Sequence, residues 1–247
     1  MTAPPLLRMQ HISQSFGAVQ ALIDVDFQVN HHEIVALVGD NAAGKSTLAR
    51  IIAGVDQPAS GTIWINGEAV TLSRSAVAQS YGIATVFQGL ALAENLDVTA
   101  NIFLGREVRE HGLLAEEYME TLARGYLQRL NARIPSPRTP VSHLSAGQRQ
   151  CVAIARTLVG EPQLIVLDEP TASLSVSQTA EVLTYIQSLR SLGLGVVLIS
   201  HNLTDVRAVA DRIDVLRHGR LNGSFTAPHD AYEGIIAAIT GATTIRH

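Results

Sequence analysis

A glycine-rich segment within the first fifth of this 247-residue chain has the composition and spacing of a phosphate-binding loop. It fits the pattern G-x-x-x-x-G-K-[ST] and consists of Gly39, Asp40, Asn41, Ala42, Ala43, Gly44, Lys45 and Ser46, followed by Thr47. The glycines let the backbone close around phosphate oxygens, and the N–H groups at the start of the next helix attract negative charge. Lys45 should reach the β- and γ-phosphates, Ser46 should offer its hydroxyl to Mg²⁺, and Thr47 should hydrogen-bond a phosphate. The segment therefore predicts nucleotide binding.

Two acids and a histidine follow apolar runs later in the chain. Asp168 and Glu169 end the run that begins at Leu164, and His201 follows residues 195–200. Beside a phosphate loop, Asp168 should hold magnesium directly or through water, and Glu169 should polarise the water that attacks the γ-phosphate. His201 can sense the γ-phosphate by donating a hydrogen bond, although a lone histidine is more often structural. Two acids at this place favour hydrolysis.

The elements that position these residues are read from the apolar pattern. Residues 34–38, 164–167 and 196–199 are short continuous apolar runs, typical of parallel strands covered on both faces. A helix is expected over residues 46–53, directly after the loop. Residues 22–29 alternate Ile23 and later apolar residues with polar ones, which predicts a half-exposed antiparallel strand. The fold class is therefore α/β, with an antiparallel β-subdomain beside the parallel sheet.

The pattern changes between about residues 91 and 141. Residues 116–130 have helical spacing, and residues 134–140 contain three prolines that form a connector. We interpret this region as an inserted α-helical subdomain, because compact domains rarely carry an uncovered loop of such length. The chain is then one domain over residues 1–247, in which about 1–90 and 142–247 form the nucleotide-binding core.

Composition excludes some classes of protein. Eighteen Lys and Arg against 22 Asp and Glu give a net charge of −4, so no broad electrostatic footprint for nucleic acid is expected. Cys151, the only cysteine, falls in an apolar helical pattern, and packing is its expected role. The longest apolar stretches are far shorter than the roughly 20 residues of a membrane-spanning helix. We therefore expect any membrane contact to be made through a partner.

The segment Leu-Ser-Ala-Gly-Gln at residues 144–148 precedes a helix in which Cys151, Val152, Ala155, Leu158 and Val159 form one apolar face. It resembles the signature of ABC ATPases, which implies a P-loop NTPase core. The resemblance implies that Ser145, Ala146, Gly147 and Gln148 contact the γ-phosphate held by the opposite subunit. The family has glycine where this chain has Ala146, which the backbone tolerates unless it requires a positive φ. A helix N-cap at Ser145 is the alternative, and both roles can hold together.

The resemblance covers nearly the whole chain. Phe16 stands where the family stacks an aromatic side chain on adenine, and Val19 would line that pocket, although Phe16 could instead be core. Gln88 matches the family's catalytic glutamine, whose carbonyl approaches magnesium while its loop touches the permease. Ser175 replaces a family aspartate, which puts the usual salt-bridged communication between the two sites in doubt.

Residues 86–107 look like the corresponding region of bacterial simple-sugar importers. The resemblance implies ATP and Mg²⁺ as cofactors, a second copy of the chain, two permease subunits and an extracytoplasmic sugar-binding protein as partners. It places the chain at the cytoplasmic face of the inner membrane. An importer for another small solute, a non-transport ABC protein of translation or DNA repair, and a regulatory module without hydrolysis are the alternatives.

Overall fold

The computed structural model describes residues 4–226 and 232–242. The strands are β1 (Leu7–Phe16), β2 (Val19–Val29), β3 (Ile34–Val38), β4 (Ser60–Ile65), β5 (Glu68–Val70), β6 (Ile83–Val86), β7 (Arg109–Glu110), β8 (Leu113–Leu114), β9 (Leu164–Asp168), β10 (Gly195–Ile199), β11 (Arg212–Arg217) and β12 (Arg220–Thr226). The helices are α1 (Lys45–Ile52), α2 (Ser75–Ser80), α3 (Val98–Phe103), α4 (Glu116–Arg129), α5 (Ala146–Leu158), α6 (Val176–Ser191), α7 (Leu203–Val209) and α8 (Tyr232–Thr240). A 3-10 turn, Val141–His143, precedes α5.

The larger sheet has six strands in the order β12-β11-β3-β10-β9-β6. Neighbours from β11 to β6 are parallel, whereas β12 pairs antiparallel with β11. Strands β3 and β10 are buried along their whole length, as continuous apolar runs predict for strands covered on both faces. The predicted α/β class is confirmed. Because the carboxyl ends of parallel strands meet at one edge, the segments after β3, β9 and β10 lie together there.

A second sheet of four strands has the order β2-β1-β4-β5 and is antiparallel throughout. The alternation predicted for β2 holds at Val25 and beyond but fails at Ile23, which is half-buried while Leu22 takes the core position. Asp24 has a φ of 55°, and the pairing register of β2 with β1 shifts between Leu22 and Val25. An irregularity of this kind changes which residue faces the core. The predicted alternation is therefore wrong at its first apolar position, Ile23.

The region between β6 and α5 contains the predicted helix, observed as α4, and also α3. Asp97 caps α3, since its side chain accepts a hydrogen bond of 2.7 Å from the backbone N–H of Ala100. The sequence pattern does not predict the short hairpin formed by β7 and β8. Ile102, Phe103 and Met119 share one hydrophobic core with residues of α5 and of the large sheet. The division at about residues 91 and 141 stays a prediction.

Helix α5 is buried on more faces than the sequence indicates. Cys151 is fully buried, as its packing role predicts, but Ala153 and Ile154, outside the predicted apolar face, are buried as well. Val159, which was assigned to that face, lies just beyond the helix and is half-buried. The cause is the position of α5, which contacts α3, α4, α6 and β6. Over residues 4–226 and 232–242, no helix combines the length and apolar composition that crossing a membrane requires.

Candidate nucleotide-binding site

The loop between β3 and α1 is built around two glycines. Gly39 has a φ of 149° and Gly44 a φ of 107°, values that other residues rarely adopt. A Cβ atom on Gly39 would clash with the backbone oxygen of Leu216, and one on Gly44 with the backbone oxygen of Ala21. Both positions therefore exclude any larger residue. Gly44 is the N-cap of α1 and supplies no side-chain cap, so the first N–H groups of α1 are available to an anion.

Lys45 is the first residue of α1, and its side chain folds back over the loop. Its Nζ donates hydrogen bonds to the backbone oxygens of Gly39 at 2.7 Å and Asp40 at 2.8 Å. Only 8% of the residue is exposed, and this burial lowers the pKa of the ammonium group, while Glu169 and the other nearby acids oppose the shift. A nearly buried cation held by neutral carbonyls is well placed to exchange them for phosphate oxygens.

The carboxyl ends of β9 and β10 bring the acids and the histidine together. Glu169 follows β9 with a φ of 51°, and its N–H donates to the backbone oxygen of Ile199 at 2.9 Å. The Nδ1 of His201 lies 2.9 Å from the carboxylate of Glu169. The side chain of Glu169 is 16% exposed, whereas that of His201 is 66% exposed. Burial raises the pKa of Asp168, with the charge of Glu169 adding to the rise and Lys45 opposing it. The site thus concentrates acids next to one cation.

A cleft of about 470 Å³ lies at this edge of the sheet. Its lining residues are Val19, Gln20, Ala21, Asn41, Ala42, Ala43, Gly44, Lys45, Ser46, Thr47, Gln88, Asp168, Glu169, Ala172, Ile199 and His201. Most of the residues predicted for one nucleotide site therefore share one cleft. Gly39 and Asp40 line a neighbouring cavity with His201. Gln20, Ala21 and Ile199 belong to no motif, and their place depends on where β2 and β10 run. Ala172 lies in the segment between β9 and α6.

Phe16 lies outside the lining of this cleft but next to it. It pairs with Val19 across the turn between β1 and β2, and Val19 lines the cleft. Phe16 is 49% exposed, so the alternative that it belongs to the core is wrong. An exposed aromatic ring beside a phosphate-binding cleft can stack on a flat ligand group.

The chemistry of the donors suits magnesium. Ser46, Gln88 and Asp168 line the same cleft and offer a hydroxyl, an amide oxygen and a carboxylate. Mg²⁺ prefers hard oxygen ligands and is commonly held by one or two protein groups together with substrate phosphates. These residues therefore fit the cation.

The segment Ser145–Gln148 does not line the nucleotide cleft of its own chain. The Ser145 side chain accepts from the backbone N–H of Gln148 at 3.1 Å, and the Gln148 side chain accepts from the Ser145 N–H at 3.0 Å, which completes a capping box. Ala146 is the first residue of α5 and has no positive φ, so its backbone does not require the glycine of the family pattern. A Cβ on Gly147 would come within 3.3 Å of Gln178 on α6, which favours glycine there.

Ala146 lines a second cleft of about 490 Å³ together with Gln88 and Glu169.

Ser175 caps α6 in the same way that Ser145 caps α5. Its side chain accepts from the Gln178 N–H at 3.4 Å, and its N–H donates to the Gln178 side chain at 3.1 Å. Serine at this position therefore preserves the start of α6.

A parallel sheet that leads through a glycine-rich loop into a helix, with acids at the end of a neighbouring strand, defines a P-loop nucleotide-binding protein. The chain belongs to the ABC transporter family, whose profile matches residues 22–172.

Two curated relatives show how far the similarity extends. The xylose/arabinose import ATP-binding protein of Sulfolobus acidocaldarius is 43% identical over 87% of this chain and 86% of its own length. A ribose import ATP-binding protein of Rubrobacter xylanophilus is 40% identical over 90% of this chain, and the chain spans only 44% of that relative.

Solved structures show the same fold. An ATP-binding cassette of an ABC transporter in its ADP conformation matches with a TM-score of 0.84, at 23% identity, over 96% of this chain and 98% of its own. A dimeric cassette in a post-hydrolysis state, bound to ADP and Pi, matches with a TM-score of 0.74, at 24% identity, over 90% of this chain and 98% of its own.

Proposed function

We propose that this chain is the ATP-hydrolysing subunit of a membrane importer for a simple sugar. The observation that carries the proposal is the single cleft that unites Lys45, Asp168 and Glu169. The sugar class is supported by relatives named for the import of xylose, arabinose and ribose.

The roles follow from the position of each group. Lys45 neutralises charge on the phosphates, and the N–H groups at the start of α1 orient them. Glu169 accepts a proton from the attacking water, and His201, 2.9 Å away, holds the carboxylate in place. Bound Mg²⁺ supplies charge stabilisation at the phosphate oxygens, and Ser46, Asp168 and Gln88 are the residues that would hold it. Phe16 and Val19 receive the adenine ring.

Two copies of the chain complete the site. Ser145, Gly147 and Gln148 sit at the start of α5, away from their own nucleotide cleft, and the N-terminus of α5 can hold an anion presented by another chain. The existence of a dimeric cassette of the same fold supports this arrangement. In a head-to-tail homodimer, each γ-phosphate lies between the loop of one chain and Ser145 of the other.

A groove of about 290 Å³ beside Gln88 is the proposed docking site of a permease. Phe87 and Leu104 line it and are 36% and 44% exposed, which is high for large apolar side chains. Arg106 and Arg156 also line it, whereas no acidic side chain does among the described residues. A short cytoplasmic helix with apolar and acidic side chains fits such a groove. The chain then sits peripherally on two permease subunits at the cytoplasmic face of the inner membrane, and an extracytoplasmic sugar-binding protein delivers the cargo.

Reconstitution tests the transport proposal. The chain is purified and assembled in vesicles with the permease subunits and the binding protein of a candidate sugar importer, and labelled monosaccharides are offered. Uptake that requires both ATP inside the vesicles and the binding protein outside supports the proposal. The vesicles could instead hydrolyse ATP and take up another small solute, but no pentose or hexose. That result would overturn the assignment of sugar as the cargo, while the importer function would still be supported.

A further inference from the structure

Asn101, on α3, organises the loop that follows Gln88. The residue is fully buried. Its Oδ1 accepts from the N–H of Ala93 at 2.8 Å, and its Nδ2 lies 2.9 Å from the Ala93 oxygen, 3.2 Å from that of Leu96 and 2.9 Å from that of Asp97. One buried amide therefore satisfies both polar groups of Ala93 and fixes the path of residues 93–97.

Arg156, on α5, reaches this loop from the other side. Its Nε donates to the backbone oxygen of Asn101 at 2.8 Å, and its Nη1 donates to that of Ala91 at 3.0 Å. Its Nη2 lies 3.4 Å from Asn101 Oδ1. All these acceptors are neutral, and burial lowers the pKa of the guanidinium group. Placing a half-buried positive charge against neutral acceptors, with no carboxylate among them, costs free energy. The presence of Arg156 is therefore best explained by the two segments that its planar guanidinium group joins.

The segment it holds is close to the catalytic site. Ala91 lies three residues after Gln88 and has a φ of 47°, which is unfavourable for alanine and needs support from neighbouring groups. Arg156 supplies such support at the Ala91 oxygen. Helix α5, which carries Arg156, begins directly after its N-cap Ser145. The side chain of Arg156 therefore connects residues 88–91, called here the Gln88 segment, with the helix that Ser145 caps.

We propose that Arg156, together with Asn101, is a positioning residue that makes the Gln88 segment and α5 move as one unit. The proposal rests on the proposed function, because it concerns how Gln88 and Ser145 reach the γ-phosphate together. It predicts that Arg156 acts on turnover through Gln88. A purely structural role would instead stabilise the fold without depending on Gln88.

The first test replaces Arg156 with glutamine and with lysine, which have helix propensities close to that of arginine. Arg156→Gln should lower kcat for ATP about tenfold while KM stays within about twofold, since the groups of the phosphate loop are untouched. Arg156→Lys, which keeps one donor able to reach either carbonyl, should recover part of the loss. Arg124→Gln, which removes only an exposed ion pair to Glu120 on α4, is the matched control and should leave both constants unchanged.

A double-mutant cycle with Gln88→Ala separates positioning from stability. In the Gln88→Ala background, Arg156→Gln should lower kcat by less than about twofold, because the residue through which it acts is gone. An equal loss in both backgrounds overturns the proposal. Arg156→Lys carries the same measurements if the glutamine variant does not fold.

Hydrogen exchange of the isolated chain tests, independently of hydrolysis, whether Arg156 holds residues 90–97 in place. Arg156→Gln should speed amide exchange in residues 90–97 about tenfold while α1 and β3 keep their protection. Unchanged exchange in residues 90–97 overturns the proposed connection between the Gln88 segment and α5, even if turnover falls. A parent chain that does not hydrolyse ATP would refute the proposed function, and the exchange result would still stand on its own.

Discussion

The Nδ1 atom of His201 lies 2.9 Å from the carboxylate of Glu169, although the two residues are 32 positions apart. The sheet produces this proximity, because β9 and β10 are adjacent parallel strands in which Ile199 pairs with Asp168. The N–H of Glu169 is bonded to Ile199 as well, so Glu169 is attached to β10 through its backbone and to His201, two residues beyond β10, through its side chain. The two residues should therefore act as a unit.

His201→Ala should reduce kcat by about 100-fold, because Glu169 loses the partner that holds it toward the attacking water. If the residues act as a unit, the double variant His201→Ala with Glu169→Gln should be no slower than Glu169→Gln alone. Steady-state phosphate release measures both. Losses that multiply in the double variant would show that His201 works independently of Glu169.

The composite site can be tested with heterodimers of two inactive chains. Chains with Ser145→Arg and chains with Lys45→Ala are given different tags, and dimers that carry both tags are purified. One of their two sites combines an intact Lys45 with an intact Ser145, so about half of the parental turnover should return if the sites are independent.

The control for this experiment is a heterodimer of the parent chain with a chain that carries both substitutions. It contains no intact composite site and should be inactive. Activity in the control, or none in the test heterodimer although it demonstrably forms, would contradict the head-to-tail arrangement or the role of Ser145.

The groove proposed to dock a permease predicts a variant that separates hydrolysis from transport. Leu104→Glu places a negative charge on an exposed apolar position of the groove, which should abolish assembly-dependent sugar uptake and leave the ATPase activity of the isolated chain intact. Leu113→Glu is the matched control, because Leu113 is 76% exposed on the β7–β8 hairpin and does not line the groove. Equal uptake by both variants would place the docking surface elsewhere.

Substitutions at Ser175 separate two roles of this position, which are capping of α6 and communication between the two nucleotide sites of the proposed dimer. Ser175→Ala removes the side-chain cap of α6 and should cost about 1 kcal/mol of unfolding free energy, measured by urea denaturation. Ser175→Asp should keep the stability, because aspartate caps a helix as well as serine does. If the family aspartate serves communication, only Ser175→Asp should also change the ATP dependence of turnover. Identical stability of all three chains would remove the capping role.

The elements around the nucleotide cleft can be predicted from the sequence, because their pattern is local. Strands β3, β9 and β10 are buried on both faces, so each is a continuous apolar run, and the residues that follow them meet at one edge. The glycine-rich loop carries its own backbone requirements, which the φ values of Gly39 and Gly44 express. Such features need no knowledge of distant contacts.

The rest depends on tertiary contacts. The core-facing role of Leu22 follows from the irregularity at Asp24, which a regular alternation does not reveal. The sequence pattern does not predict the contacts of Asn101 and Arg156, because only the fold brings Asn101 to Ala93 and Arg156 to Ala91. The full burial of Ile154 likewise reflects what packs around α5.

The most direct test of the central claim compares the parent chain with Glu169→Gln for phosphate release from ATP in the presence of Mg²⁺. The amide keeps the shape of the carboxylate but cannot accept the proton of water, so the variant should bind ATP and lose nearly all hydrolysis. ATP-bound dimers should accumulate and be visible by gel filtration. A Glu169→Gln chain that turns over within a few-fold of the parent would contradict the account.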